Sequence, residues 1–123
     1  MAFAKINNNV LHYKWIDQGK DENLVLINSL GSSFVIWEKM VPFLSDHVNI
    51  LLFDKRGHGL SGTSTGKVTI DDYADDVIGL MDACDITQSH ILGLSIGGLI
   101  TYSLAGRYPD RCKSLIFSDI KVF

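Results

Sequence analysis

Four short segments are apolar over nearly their whole length: Leu24-Val25-Leu26-Ile27, Val48-Asn49-Ile50-Leu51-Leu52-Phe53, His90-Ile91-Leu92-Gly93-Leu94 and Ser114-Leu115-Ile116-Phe117. A run without polar alternation predicts a strand covered on both faces, the condition of a parallel sheet. Ahead of these runs, Leu11, Tyr13 and Trp15 alternate with His12, Lys14 and Ile16. Together with Ala2 to Ile6 and the intervening Asn7-Asn8-Asn9, that alternation predicts an antiparallel hairpin.

Between the apolar runs the period changes to that of a helix. Ile70, Tyr73, Ala74, Val77, Leu80, Met81 and Cys84 fall on one helical face. The Thr69 hydroxyl is placed to cap the first turn, and Asp71 and Asp72 complement the positive end of the helix dipole. A second helix is expected over about 33–44, with Trp37, Met40, Val41 and Leu44 inward and Pro42 as a kink or break. A third opens at Ile96 and closes near Tyr108-Pro109, where the proline disfavours helix in the residue before it. Two strands followed by β, α, β, α, β, α, β make an α/β fold with a mostly parallel sheet.

The 123 residues allow one domain at most, and 46% hydrophobic against 20% charged residues is the composition of a globular protein with a real core. A net charge of −3 with no basic cluster argues against a nucleic-acid or anionic-membrane surface. The first nine residues turn polar too early for a signal peptide, and the greasiest stretch, Ile91 to Gly106, is too short to span a bilayer. A cytoplasmic location is therefore expected. Cys84 and Cys112 are too few for a disulfide framework and wrongly spaced for zinc, and are read as reduced, buried thiols. Asp71, Asp72, Asp75 and Asp76 have no interleaved histidine, so they are read as a solvated helix face and first turn, not a metal site.

Open α/β sheets bind ligands at the carboxyl ends of their strands, so the loops there carry any chemistry. Gly93-Leu94-Ser95-Ile96-Gly97, followed by Gly98, joins a predicted strand to a predicted helix. That is the G-x-S-x-G nucleophile elbow in its required context. A sharp turn crowds the backbone on both sides of Ser95, which calls for glycine there. It also pushes the hydroxyl clear of the sheet and leaves the Ile96 N–H at the helix start, facing any anion that develops beside it. Asn28-Ser29-Leu30-Gly31 follows the first parallel strand, and the Leu30 N–H is the candidate for a second oxyanion donor. Asp54-Lys55-Arg56-Gly57-His58-Gly59-Leu60-Ser61 follows the next strand, and Asp54, Arg56 and His58 are read as structural.

At these three loops the chain resembles the α/β-hydrolase family. Within it the chain looks like the 3-oxoadipate enol-lactonases, where the usual His-Gly after the first parallel strand is replaced by Asn-Ser-Leu-Gly, as at residues 28–31. Trp37 with Pro42 and Leu44, and Tyr108-Pro109-Asp110-Arg111 before the last strand, also match. The resemblance covers essentially all of residues 1–123 but only the N-terminal half of a family member, ending after about strand six of eight. It implies a Ser95 nucleophile that opens 3-oxoadipate enol-lactone to its keto acid through an acyl-enzyme. Leu30 and Ile96 N–H groups would hold the oxyanion, with no metal or organic cofactor.

The family's acid and histidine come later in the chain than the serine. His90 starts the strand that Ser95 ends, about 16 Å away at 3.3 Å per residue. His12 and His47 are not expected on the catalytic face. His58, two strands from Ser95 or about 9.6 Å, is the only histidine expected on the correct rim. Asp119 stands where a minority of the family places its acid, but it has no histidine to orient. After Ser118-Asp119, the segment Ile120-Lys121-Val122-Phe123 departs from the family pattern, which a truncation or frameshift near Asp119 would explain. Ser114 to Phe117 would then be an apolar edge strand open to self-association or to a complementing C-terminal half. Two classes of reading stay open: a hydrolase known by its N-terminal half (enol-lactonase, carboxylesterase or cofactor-free haloperoxidase), or a non-catalytic fragment or binding module.

Overall fold

The computed structural model describes residues 2–29, 31–63 and 66–118. Leu30, Asp119 and the segment 120–123 lie outside the described residues, so the readings made on them stand as expectations. The strands are β1 (Ala2–Ile6), β2 (Asn9–Ile16), β3 (Asn23–Ile27), β4 (Asn49–Phe53), β5 (Ser89–Leu94) and β6 (Cys112–Ser118). They form one sheet in the order β1-β2-β4-β3-β5-β6. The β1/β2 and β2/β4 pairs are antiparallel, while β3/β4, β3/β5 and β5/β6 are parallel. The hairpin closes on Asn7 and Asn8 at φ 49° and 63°. Asparagine tolerates this left-handed region, and two such residues in succession make the turn that matches strand twist.

Both faces of the parallel strands are covered, as their unbroken hydrophobicity requires. Val25, Ile27, Leu51, Phe53 and Ile91 pack under α2 (Ile70–Ala83) and α3 (Ile96–Arg107). Leu24, Leu26, Ile50 and Leu52 pack on the other face with Phe34 and Trp37. Alternate residues of one strand thus enter opposite layers. Helix α2 carries the expected cap in reciprocal form: the Thr69 hydroxyl accepts from the Asp72 N–H at 3.1 Å, and the Asp72 carboxylate accepts from the Thr69 N–H at 2.8 Å.

Four expectations are corrected. The segment 33–44 is not one helix but a 3₁₀ turn over Phe34–Trp37, capped by Ser33, and a single turn α1 (Val41–Leu44). Pro42 lacks an N–H and its ring would clash with the carbonyl four residues back, so it is accommodated only in the first turn of α1, where the expected break falls, and no helix enters it from Phe34–Trp37. Met40, between the two turns, is 39% exposed instead of inward. Cys84 and Cys112 are half-buried at the fringe of the core, and even partial burial raises both thiols above their ordinary pKa. Asp76 is fully buried, with Arg56 donating to its two oxygens at 2.7 Å each and Asn7 Nδ2 donating at 3.1 Å. Period alone assigned it to a solvated face; an arginine from the loop after β4 supplies the charge that permits its burial.

Candidate active site

The carboxyl ends of β3, β4, β5 and β6 lie along one rim. There Ser95 links β5 to α3, with φ 58° and ψ −114°. A left-handed non-glycine residue costs on the order of 1–3 kcal/mol and persists only where its surroundings impose it. Gly93 and Gly97 create those surroundings. A Cβ on Gly93 would overlap the Gly97 carbonyl and the Thr101 hydroxyl, and one on Gly97 would come within 2.6 Å of the Ile27 carbonyl oxygen. The turn can therefore be this tight only with glycine on both sides. Its ends are tied: the Ser95 N–H donates to the Ser118 carbonyl at 2.9 Å, and the Gly98 N–H donates to the Ser95 carbonyl at 2.9 Å. Thr101, completely buried, donates its hydroxyl to the Gly97 carbonyl at 2.8 Å.

Ser95 and Ile96 are half-buried, and Ile96 is the first residue of α3. The amides of a first helical turn have no intrahelical acceptor, so the start of α3 offers N–H groups beside the Ser95 side chain.

Asn28 follows β3 and is completely buried. Its side chain donates to the Phe53 carbonyl at 3.1 Å and accepts from Trp37 Nε1 at 2.5 Å. This bond gives Trp37 a role beyond packing. After β4, the buried Asp54 carboxylate accepts from the Phe34 N–H at 2.9 Å and the Leu60 N–H at 3.1 Å, and contacts His12 Nδ1 at 2.9 Å. A Cβ on Gly59 would overlap this carboxylate. Lys55 lies alongside, 1% exposed, with Nζ on the carbonyls of Asn28 at 3.1 Å and Ser29 at 3.0 Å. Burial pulls its pKa down to about 8, against the opposing pull of Asp54. The loop charges thus act structurally, and Lys55, which sequence reasoning passed over, is the most buried cation among the described residues. Nothing in the pattern of a single lysine signals burial.

The four histidines of the chain are all described. His12 was expected away from the catalytic face, yet it sits beside Asp54 at the carboxyl end of β4, because antiparallel pairing of Tyr13 with Phe53 brings it there. It stacks on Phe34, 5.0 Å between ring centres. His58 keeps to its own loop, Nδ1 at 3.1 Å from the Arg56 carbonyl, and β3 separates its strand from that of Ser95. His90 lies at the start of β5, bonded to Glu22 and Ser114, and His47 is exposed before β4. None is hydrogen-bonded to Ser95 among the described residues. No cluster of three metal-ligating side chains occurs among them either, and no helix is long and apolar enough to cross a membrane.

Known proteins share this fold. Residues 22–122 match the family model described as alpha/beta hydrolase fold. The chain is 34% identical over 109 residues to 3-oxoadipate enol-lactonase 2 of Acinetobacter baylyi, covering 89% of this chain and 41% of that protein. It is 33% identical to a putative carbamate hydrolase RutD of Pantoea ananatis, covering 86% of this chain and 40% of the relative. The crystal structure of the enol-lactonase from Burkholderia xenovorans superposes with a TM-score of 0.88 at 38% identity, over 93% of this chain and 45% of that one. The chain therefore spans less than half the length of each of these relatives, and it belongs to the α/β-hydrolase family.

Proposed function

We propose that this chain is the nucleophile-bearing part of a serine hydrolase that opens an enol-lactone to its keto acid. The observation that carries the reading is Ser95 itself, a left-handed serine on a glycine-flanked turn from strand to helix. Its hydroxyl attacks the lactone carbonyl while the Ile96 and Leu30 N–H groups hold the resulting oxyanion. Collapse breaks the ring C–O bond and leaves an acyl-enzyme whose enol portion becomes the ketone. Water then releases the acid. The 28–31 loop and the enol-lactonase relatives support the lactone as substrate, while the carbamate hydrolase relatives keep other acyl compounds in play. The substrate is a small molecule; neither nucleic acid nor membrane is a partner.

The general base comes from outside this segment, since each of the four histidines is engaged or placed elsewhere. Loss of a triad base costs on the order of 10⁶ in kcat, about 8 kcal/mol, so the chain alone should be nearly inert. That placement favours a second reading, a non-catalytic module. The test is to supply a C-terminal half, such as that of the Acinetobacter baylyi relative, and compare lactone with simple ester turnover. Lactone opening abolished by Ser95→Ala supports the proposal. Ester turnover alone moves the assignment to a carboxylesterase, and no turnover above Ser95→Ala from a folded complex favours the module.

A further inference from the structure

Buried side-chain nitrogens nearly always have a hydrogen-bond partner, because leaving one unpaired is costly. His12 pairs only one of its two. Its side chain is 6% exposed, and Nδ1 lies 2.9 Å from Asp54 Oδ2. The Asp54 carboxylate also takes the Phe34 and Leu60 N–H groups, and a carboxylate only accepts, so Nδ1 carries the proton of the bond to His12. In the neutral ring this leaves Nε2 as a bare lone pair, and it meets no partner among the described residues. A purely structural role accounts for Nδ1 but not for Nε2.

The surroundings fix where Nε2 faces. Phe3 and Phe34 lie against the ring, with centres 4.8 and 5.0 Å from its own, so its faces are covered. Asp54 closes the Nδ1 edge. His12 nevertheless lines a cavity of about 480 Å³, and the edge that bears Nε2 is the one left to do so. That volume lies in the range of small-molecule sites. The site is pre-formed: the His12 N–H donates to Ser61 Oγ at 2.8 Å, and the His12 carbonyl accepts from the Asp54 N–H at 2.9 Å. Phe34, Val35 and Leu60 make the walls apolar, and the charged side chains in the lining, Asp54 and Glu38, are both carboxylates. These carboxylates repel an anion, and apolar walls strip water from an ammonium without replacing it. A lone pair in such a cavity calls for a neutral ligand with a hydroxyl hydrogen to give.

We propose that this cavity binds a small neutral phenol, whose hydroxyl donates to His12 Nε2 while its ring packs against Phe34, Val35 and Leu60. The site is separate from the candidate active site. His12 lies on β2 and Asp54 follows β4, whereas Ser95 follows β5, and β3 stands between β4 and β5. It therefore holds or fails independently of the serine-hydrolase reading.

The test titrates this chain with p-cresol at about pH 8, where a phenol keeps its proton and free histidine has lost its own, and follows the amide signals by NMR. Shifts are expected in 33–38 and 59–60, the segments that line the cavity. Toluene, the same shape without the hydroxyl, should bind about tenfold more weakly. His12→Phe should abolish that difference, and Ser95→Ala should leave it intact. Absence of p-cresol binding, equal affinity for p-cresol and toluene in the wild type, or shifts centred on 95–98 overturns the proposal. Tighter binding of benzylamine than of p-cresol also overturns it, because the cavity would then take a cation. If His12→Phe does not fold, the ring nitrogens of the wild type decide: Nε2 should resonate as an unprotonated nitrogen and move when p-cresol is added. A protonated Nε2 in the free protein, or one that p-cresol leaves unmoved, overturns the assignment.

Discussion

Each rim of the sheet carries a histidine against a carboxylate, and the two pairs differ in almost everything but residue type. At the carboxyl rim His12 and Asp54 meet at 2.9 Å with side chains 6% and 3% exposed. At the amino rim His90 and Glu22 meet at 3.0 Å, 27% and 40% exposed. The amino rim even assembles a serine, a histidine and a glutamate in sequence, since His90 Nδ1 lies 2.5 Å from the Ser114 hydroxyl. Yet Ser114 is a mid-strand residue of β6, and the Glu22 carboxylate is shared with the Lys113 ammonium at 2.5 Å, which with His90 holds it below its ordinary pKa. The candidate nucleophile stands at the opposite rim, where the backbone is strained and a helix begins. Residue types alone do not make a site; the backbone around the nucleophile does.

The difference between the rims can be broken most forcefully at Asp54. Asp54→Ala strips the acceptor from the buried Phe34 amide, the part-buried Leu60 amide and His12, and should cost on the order of 4 kcal/mol in urea unfolding. Next in size is a pH effect. Burial lowers Lys55 from 10.5 to about 8, so between those values the unfolded chain retains a proton that the folded chain has released. The penalty of this group is full below about pH 8 and is relieved as pH rises toward 10.5. Stability of the wild type relative to Lys55→Met should thus climb by up to about 3 kcal/mol over that window. A flat difference would mean that Lys55 is solvated.

A smaller effect is expected at the elbow. Ser95→Gly removes the strain of a left-handed non-glycine residue and should stabilise the chain by about 1 kcal/mol, while abolishing any adduct with phenylboronic acid. The smallest belongs to the amino rim. Glu22→Gln should leave the urea midpoint where it is at physiological salt, because exposed pairs are screened and constrained only weakly. A clear loss there would erase the contrast between the rims.

Much of this molecule was legible from residue order alone. Unbroken apolar runs signal strands buried on both faces, and the 3.6-residue face of α2 with its Thr69 cap signals a helix, because both depend on neighbours within a few residues. The elbow was legible for the same reason: the steric demand of the turn falls on Gly93 and Gly97, two positions from Ser95 on either side. Chain pattern misjudged the groups whose environment is set by distant segments. Asp76 lies on a helix face that its period marks as solvated, and Arg56 from a distant loop buries it; His12 is brought to the carboxyl rim by the pairing of β2 with β4. Lys55 showed no signal at all, because its partners lie 26 and 27 residues away. By itself the sequence determined the α/β order, the hairpin and the glycine-flanked serine, since local sterics and periodicity are written in adjacent residues. Only the tertiary structure decided which charges are buried and which carbonyls they hold, since desolvation and ion pairing depend on segments that meet only when the sheet assembles.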